Sequence, residues 1–471
     1  MAITATASNY LASPTSLSFG GSRVFWTICN ARPRQASGRL LRFHGSKERI
    51  ADWFDAQIQQ TVWKLSEFGR GCRGIAFEIG CLDLRRFAFW VKWILPGGER
   101  IAAREVVLEN FIACWDGLDD PRTGNAALHD FHEILAIALC AVLCGGQGSV
   151  DMGLFARSKE PFLRGFLKLE NGVPSHDTFS RLFRMLDADQ FRTVFQRFME
   201  GFSKQCAGVV AIDGKVLRRS FDKASGRSPL HMVSAWGCEQ RLVLAQIATD
   251  AKSNEITAVP KLLEMLTLKG TIVTADALNC QRAIAQQIVD QGGDYALALK
   301  GNQETLHRDV VLFLDDPASK ATTAGPVVDA DHGRIETRTA TVSTDIAWLA
   351  ETHRWPGLKA VGKVERTRES DGKTSRETAY YLLSAPLSPE RFNEAVREHW
   401  GIENRLHWRL DVVMNEDQDR SRLGNAPHNL AVLRHMALNV MQKDGEKGSL
   451  RGKIKRAGWD EAYLAKMLTL F

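Results

Sequence analysis

Three acidic residues stand where an α/β chain can gather them. Asp213 closes the apolar run VVAID and is followed at once by Gly214, Asp276 closes the run TIVTAD, and Glu403 lies in HWGIENRLHWRLDVV. Carboxylates are hard oxygen donors, and three of them suit a pair of divalent cations about 4 Å apart, which serve displacement at phosphorus. Each Asp alone is as well explained by capping or turn formation. Together they carry more weight, because residues at the carboxyl ends of neighbouring strands in an α/β sheet converge on one crevice. Ile402, Leu406, Leu410 and Val413 form an apolar stripe at helical spacing. Glu403 borders it, in line with His399 and His407 at four-residue steps. Asp411, Glu416 and Asp417 are alternative third carboxylates. The two histidines stand eight apart with no HExxH arrangement, which argues against a zinc protease.

The elements needed to position these groups are legible in the hydrophobic patterning. VVAID, LHMVSAW and RLVLAQIA predict three strands. NEITAVPKLLEML predicts a helix, TIVTAD a strand, NCQRAIAQQIVDQG a helix closed by glycine, YALALK a strand and NQETLHRDVVLFL a helix. Three strands followed by alternating helix and strand is the series of a ribonuclease-H-like mixed α/β sheet. RIETRTATVST, LKAVGKVERTR and ETAYYLLSA return to strand patterning before helices resume at SPERFNEAVREHW. Upstream, HDFHEILAIALCAVLCG predicts a buried helix, and PSHDTFSRLFRMLDADQFRTVFQRFMEGF predicts two more. Ser175 or Asp177 would cap the first of these and Asp187 the second. The expected organisation is a basic extension over 1–105, a helical module over 106–205, the first part of the core over 206–316, a strand-rich insertion over 317–387, and C-terminal helices with a basic tail over 388–471.

Composition bounds the rest. The 471 residues carry a net charge of +6, but the basic excess lies in the first 105 and the remainder is nearly neutral, so only local patches argue for an anionic partner. Nine scattered cysteines without a CxxC pair suit a reducing compartment. Cys140 and Cys144 read as core residues. No apolar run reaches the ~20 residues of a membrane span, so a soluble, cytoplasmic protein is expected. GxxxxGK[ST] and a GxGxxG opening a helix are absent. For residues 1–105, a structured accessory domain, a flexible basic arm and upstream translation of a frame starting at Val106 or Val107 are all open. The composition leans towards a poorly ordered extension.

The segments AIDGKVLRRS, VSAWG, TADAL, LALKGNQ, HGRIETR and REHWGIENRLHWRLDVVMNED, with DPR, ALCAVLCG and PSHDTFSR before them, resemble in that order the DDE transposases of bacterial insertion sequences, ISAs type. The resemblance covers about residues 108–442. It implies Asp213, Asp276 and Glu403 as the metal-binding catalytic triad, two divalent cations (Mg2+, with Mn2+ as substitute), and a strand-rich insertion between the second Asp and the Glu. It also implies double-stranded DNA, both element end and target, as partner, and a homodimer in the synaptic complex of a nucleoid-associated protein. Related transposases place Tyr, Arg and Lys around the Glu, where this chain has Val396, His399 and Leu410. Phosphate contacts would then fall to His399, Arg405 or His407.

Further DNA contacts are expected from Lys215, Arg218 and Arg219 after the first Asp, from Lys300 after the fifth strand, and from Arg334 and Arg338 in HGRIETR, where alternate residues share a strand face. Trp400 and Trp408 read as core packing rather than base-stacking platforms, and KGSLRGKIKR as a basic tail. The expected activity is metal-dependent strand cleavage followed by strand transfer. The alternatives are a catalytically silent DNA-binding derivative and a ribonuclease-H-like nuclease that does not join.

Overall fold

From residue 208 the chain alternates short runs of β-branched and apolar residues with amphipathic segments, and the central strands it forms are buried on both faces. Every residue of His231–Gly237 is buried, the mark of a strand covered by helices above and below. The computed structural model describes residues 115–200, 208–249, 255–331, 334–370 and 372–470, with the backbone of three short strands near the start. Those three, β1 (Ala2–Thr6), β2 (Phe25–Cys29) and β3 (Arg39–Arg42), form a small sheet, β1 parallel to β2 and β2 antiparallel to β3. They belong to a unit spanning Met1–Glu105, distinct from the unit Val106–Phe471. The expected disorder of residues 1–105 falls otherwise outside the described residues.

The second unit is built on one ten-stranded sheet. Its core comprises β4 (Gly208–Val216), β5 (His231–Gly237), β6 (Leu242–Thr249), β7 (Thr271–Ala275) and β8 (Asp294–Leu299). β4, β5 and β6 run antiparallel in sequence, while β7 lies parallel to β4 on its other side and β8 parallel to β7. The spatial order β8-β7-β4-β5-β6 is the ribonuclease-H-like arrangement. The strands that follow do not form a sheet of their own. β13 (Lys373–Leu383) pairs antiparallel with β8 and carries β12 (Ala360–Ser370), β11 (Arg334–Ser343) and β10 (Val327–Asp331) outward, with β9 (Thr322–Thr323) beside β11.

The helices that frame the sheet follow their sequence signals closely. α1 (Phe131–Leu143) starts at Asp130, whose side chain accepts from the Glu133 N–H, and it buries nearly every residue, Cys140 included. Ser175, rather than Asp177, caps α2 (His176–Met185) through the Thr178 N–H. Asp187 accepts from the Asp189 and Gln190 N–H groups at the start of α3 (Ala188–Glu200). α4 (Glu255–Glu264) covers β5 and β6, and α5 (Pro389–Ile402) lies across β4, β7 and β8, with the short α6 (Trp408–Val412) soon after it. α7 (Ala426–Lys443) is buried along almost its whole length, against β6 and against α1, α2 and α3. One continuous hydrophobic core therefore joins the helical module to the sheet. Among the described residues no helix is long and apolar enough to cross a membrane.

Two expectations fail here. The segment read as a basic tail is a helix, α8 (Leu450–Trp459), whose Leu450, Ile454 and Ala457 are buried; its basic residues mask an apolar stripe at helical spacing. Trp400 and Trp408 are surface residues, 40% and 55% exposed. They fall away from the face of Ile402, Leu406 and Leu410 that meets the core.

Candidate active site

The register of β4 against β7 brings the first two acids together. Ile212 pairs with Ala275 in a parallel ladder, so Asp213 and Asp276 are the next residues on adjacent strands, about 5 Å apart in backbone. The segment after α5 supplies the third. Residues Glu403–His407 form a single π-helical turn between α5 and α6. Such turns are rare and occur mostly as isolated bulges within α-helices. Here the turn carries Glu403 and His407 over Asp213 while Ile402, Leu406 and Leu410 stay buried. Asp213, Glu403 and His407 each offer a donor atom, and the three lie within 4.8 Å of one another. His407 Nδ1 stands 3.5 Å from Asp213 Oδ2 and 3.5 Å from Glu403 Oε2.

Asp276 lies outside that cluster. Its carboxylate accepts from the Asn279 backbone N–H at 3.2 Å and from Asn279 Nδ2 at 2.9 Å. Asn279 Nδ2 also donates to Glu255, which in turn contacts His231 Nε2. His231, Glu255 and Asn279 are all buried, so a chain of polar contacts from β5 and α4 fixes the turn that carries Asp276. Gly214 is part of the same packing, since a Cβ there would overlap His231 and Glu255.

Electrostatics separates the carboxylates. Burial pushes Asp213 up to about 7, with His407 pulling it down and Glu403 raising it further. His407 beside Glu403 holds that acid down at about 2, against partial desolvation. Two acids sharing one site and one proton behave this way, and a bound cation is what lets both ionise. His399 is held down at about 4 by burial, and its Nδ1 meets Thr274 Oγ1 at 3.0 Å.

The residues read as DNA contacts divide sharply. Lys215 is 9% exposed and lies 2.7 Å from Asp411, 3.0 Å from Glu416 and 3.3 Å from Asp417. Its charge is thus committed inside the protein, and so are the three acids that were alternatives to Glu403. Arg338 is likewise buried, 2.7 Å from Glu336 and 2.6 Å from Asp329. Both are structural ion-pair partners rather than exposed cations, each drawn onto acids that the fold brings to it. His407 is buried as well. Arg218, Lys300, Arg334 and Arg405 face solvent and Arg219 is half-buried. Sequence reasoning misses the His231–Glu255–Asn279 chain, whose members are far apart along the chain, and the π turn, which has no residue signature. It also misses Arg366 and Arg368, which join Arg334 and Arg338 around Glu336, Arg366 stacking over Trp400 at 4.9 Å.

Comparison with known proteins points the same way. Residues 112–199 match the family described as DDE_Tnp_1-associated, and residues 204–440 match the Transposase DDE domain. The chain is 39% identical to the H repeat-associated putative transposase YhhI of Escherichia coli (strain K12) over 349 residues, 72% of this chain and 92% of that one. It is 43% identical over 294 residues to an uncharacterized protein in the dhlA 3'region of Xanthobacter autotrophicus, covering 61% of this chain and 99% of the relative. A cryo-EM structure of a piggyBac transposase synaptic complex with hairpin DNA aligns over 78% of this chain and 80% of that one, at a TM-score of 0.39 and 11% identity. By the family match across the core and by relatives matched over nearly their full length, this chain belongs to the DDE transposases.

Proposed function

We propose that the protein is an insertion-sequence transposase that cuts DNA at the element's ends and joins the freed 3′-hydroxyl to target DNA. The observation that supports this reading best is the approach of Asp213 and Asp276, by strand register, to each other and of Glu403, from the π turn, to Asp213. The donor set fits divalent cations: hard carboxylate oxygens converging on one point, with Asp213 pushed up by burial and by the Glu403 carboxylate beside it. Asp213, Asp276 and Glu403 would hold two Mg2+ ions, or Mn2+ in their place. When bound, these supply Lewis-acid stabilisation of charge on the oxygens around phosphorus.

The chain's own groups do the positioning. The Asn279 contacts fix the Asp276 carboxylate, and the packing of α5 on β4 and β7 fixes the height of Glu403 above the strand ends. Exposed Arg218, Lys300, Arg334 and Arg405, with Arg219, supply positive charge for the phosphate backbone, whose neutralisation contributes most to duplex affinity. The helical module, taken as residues 106–205, is assigned to binding the element end, and pairing two ends calls for a dimer in the synapse.

Cleavage of a labelled duplex carrying the element's ends, in Mg2+ or Mn2+, tests the reading with Glu403→Gln as the comparison. Cutting should fall by more than ~100-fold while end binding persists. A variant that still cuts removes Glu403 from the triad. A native protein that binds but never cuts is a silent DNA-binding derivative, and one that cuts but cannot join pre-cut ends is a nuclease.

A further inference from the structure

The imidazole of His407 faces two carboxylates through one nitrogen and, among the described residues, finds no partner for the other. It is 6% exposed, and a buried imidazole normally satisfies both ring nitrogens. Its Nε2 is buried and lacks a hydrogen-bond partner among the described residues. Its Nδ1 is 3.5 Å from a carboxylate oxygen of Asp213 and 3.5 Å from one of Glu403. That is longer than a well-formed N–H···O bond to either. It is nearer the spacing of two donors on one ion, about 3.0 Å for neighbouring ligands around an octahedral ion with bonds of about 2.1 Å, and donor atoms of all three side chains lie within 4.8 Å of one another. The other histidine at this spacing, His399, has its Nδ1 engaged by Thr274.

We propose that His407 is a nitrogen ligand of the cation held between Asp213 and Glu403, and that it biases this position towards Mn2+ or another transition ion over Mg2+. The inference rests on the reading of Asp213 and Glu403 as metal ligands. Mg2+ favours an all-oxygen shell, whereas an imidazole among carboxylates strengthens binding along the series from Mn2+ upwards. The π turn serves this arrangement by carrying the imidazole and the Glu403 carboxylate together.

Pulsed EPR of Mn2+ bound to the full-length protein reads the ligand directly, through magnetic coupling to a directly bound nitrogen. The native protein should show imidazole coupling and His407→Asn should lose it. In calorimetric titration the same variant should lose roughly tenfold in Mn2+ affinity and much less in Mg2+ affinity. Bound Mn2+ without nitrogen coupling in the native protein overturns the proposal, whether or not the variant folds, and so does coupling that survives in His407→Asn. Glu403→Gln separates the two levels. If Mn2+ binding is unchanged in that variant, the carboxylate site itself is misassigned; if binding weakens but the native spectrum holds no nitrogen, only the role of His407 falls.

Discussion

Two charged clusters grow from the same strand two residues apart, and they are built on opposite principles. Around Lys215, four acids (Asp411, Glu416, Asp417 and Asp419) are met by Lys215 and Arg434, with Arg218 at the edge. Burial alone would lower the Lys215 pKa, but Glu416 and Asp411 hold it well up. Burial would likewise raise Glu416, yet Lys215 and Arg434 hold it down. Around Asp213 there is no such lysine or arginine among the ion pairs of the described residues, and its carboxyl drifts up to about 7. The first cluster is closed and ties β4 to the segment after the π turn. The second leaves its negative charge for something from outside.

Breaking the closed cluster should have the largest effect on stability. Lys215→Met takes the shared cation from three carboxylates. Among the described residues Glu416 then keeps only Arg434 at 3.8 Å and Asp417 only Arg218 at 3.4 Å, and the loss should be about 3–5 kcal/mol, measured from denaturant midpoints. Gly214→Ala presses a methyl into His231 and Glu255 and should cost about 1–3 kcal/mol by overpacking. Cleavage should fall with it, because the displaced groups anchor the Asp276 turn.

The open cluster should respond in the opposite sense. Asp213→Asn removes a buried, poorly compensated carboxylate, so the metal-free protein should hold its stability or gain up to ~2 kcal/mol while losing cleavage. The pH dependence follows from the same group. Its folded pKa is raised above the unfolded value of roughly 3.9, so the native state binds the extra proton between about pH 4 and 7. This contribution to stability is full below that window and is lost as pH rises through it. Saturating divalent cation should flatten the slope, and thermal melts across pH with and without Mg2+ or Mn2+ would read it. Glu403, held at about 2, works in the opposite direction: its contribution is present above its unfolded pKa and is lost as pH falls towards 2.

The smallest effect belongs to the rim. Arg218 is mostly exposed, with a 3.4 Å contact to Asp417. Arg218→Ala should change stability by less than ~1 kcal/mol and should lower the salt dependence of DNA binding by about one phosphate contact. An unchanged salt slope would remove this residue from the DNA path.

The two clusters also mark how far the sequence can be read. Asp213, Asp276 and the strands that carry them are legible because apolar runs and their punctuation encode a sheet directly, although β4 runs on past Asp213 to Val216, beyond the point where the apolar run places its end. Glu403 is legible as the edge of a helical stripe. Whether Lys215 points into a cluster of acids or out to solvent depends on residues some two hundred positions away, which no local pattern carries. Arg338 meets acids two and nine residues away, Glu336 and Asp329, but its burial depends on β10 and β12 flanking β11, and the spacing of His407 fits an exposed helix face although its ring is buried. The apolar stripe of α8 hides because basic residues dominate its composition.

The outer strands have a consequence for length. Because β13 pairs directly with β8, an unbroken hydrogen-bonded ladder runs from β4 to β10 across six strand intervals, about 29 Å at the usual strand spacing. The exposed Arg334 on β11 is thereby tied to the Asp213 strand through paired backbone alone, β13 to β8 and β8 to β7, so the outer strands extend the core sheet rather than hang from it by a loop.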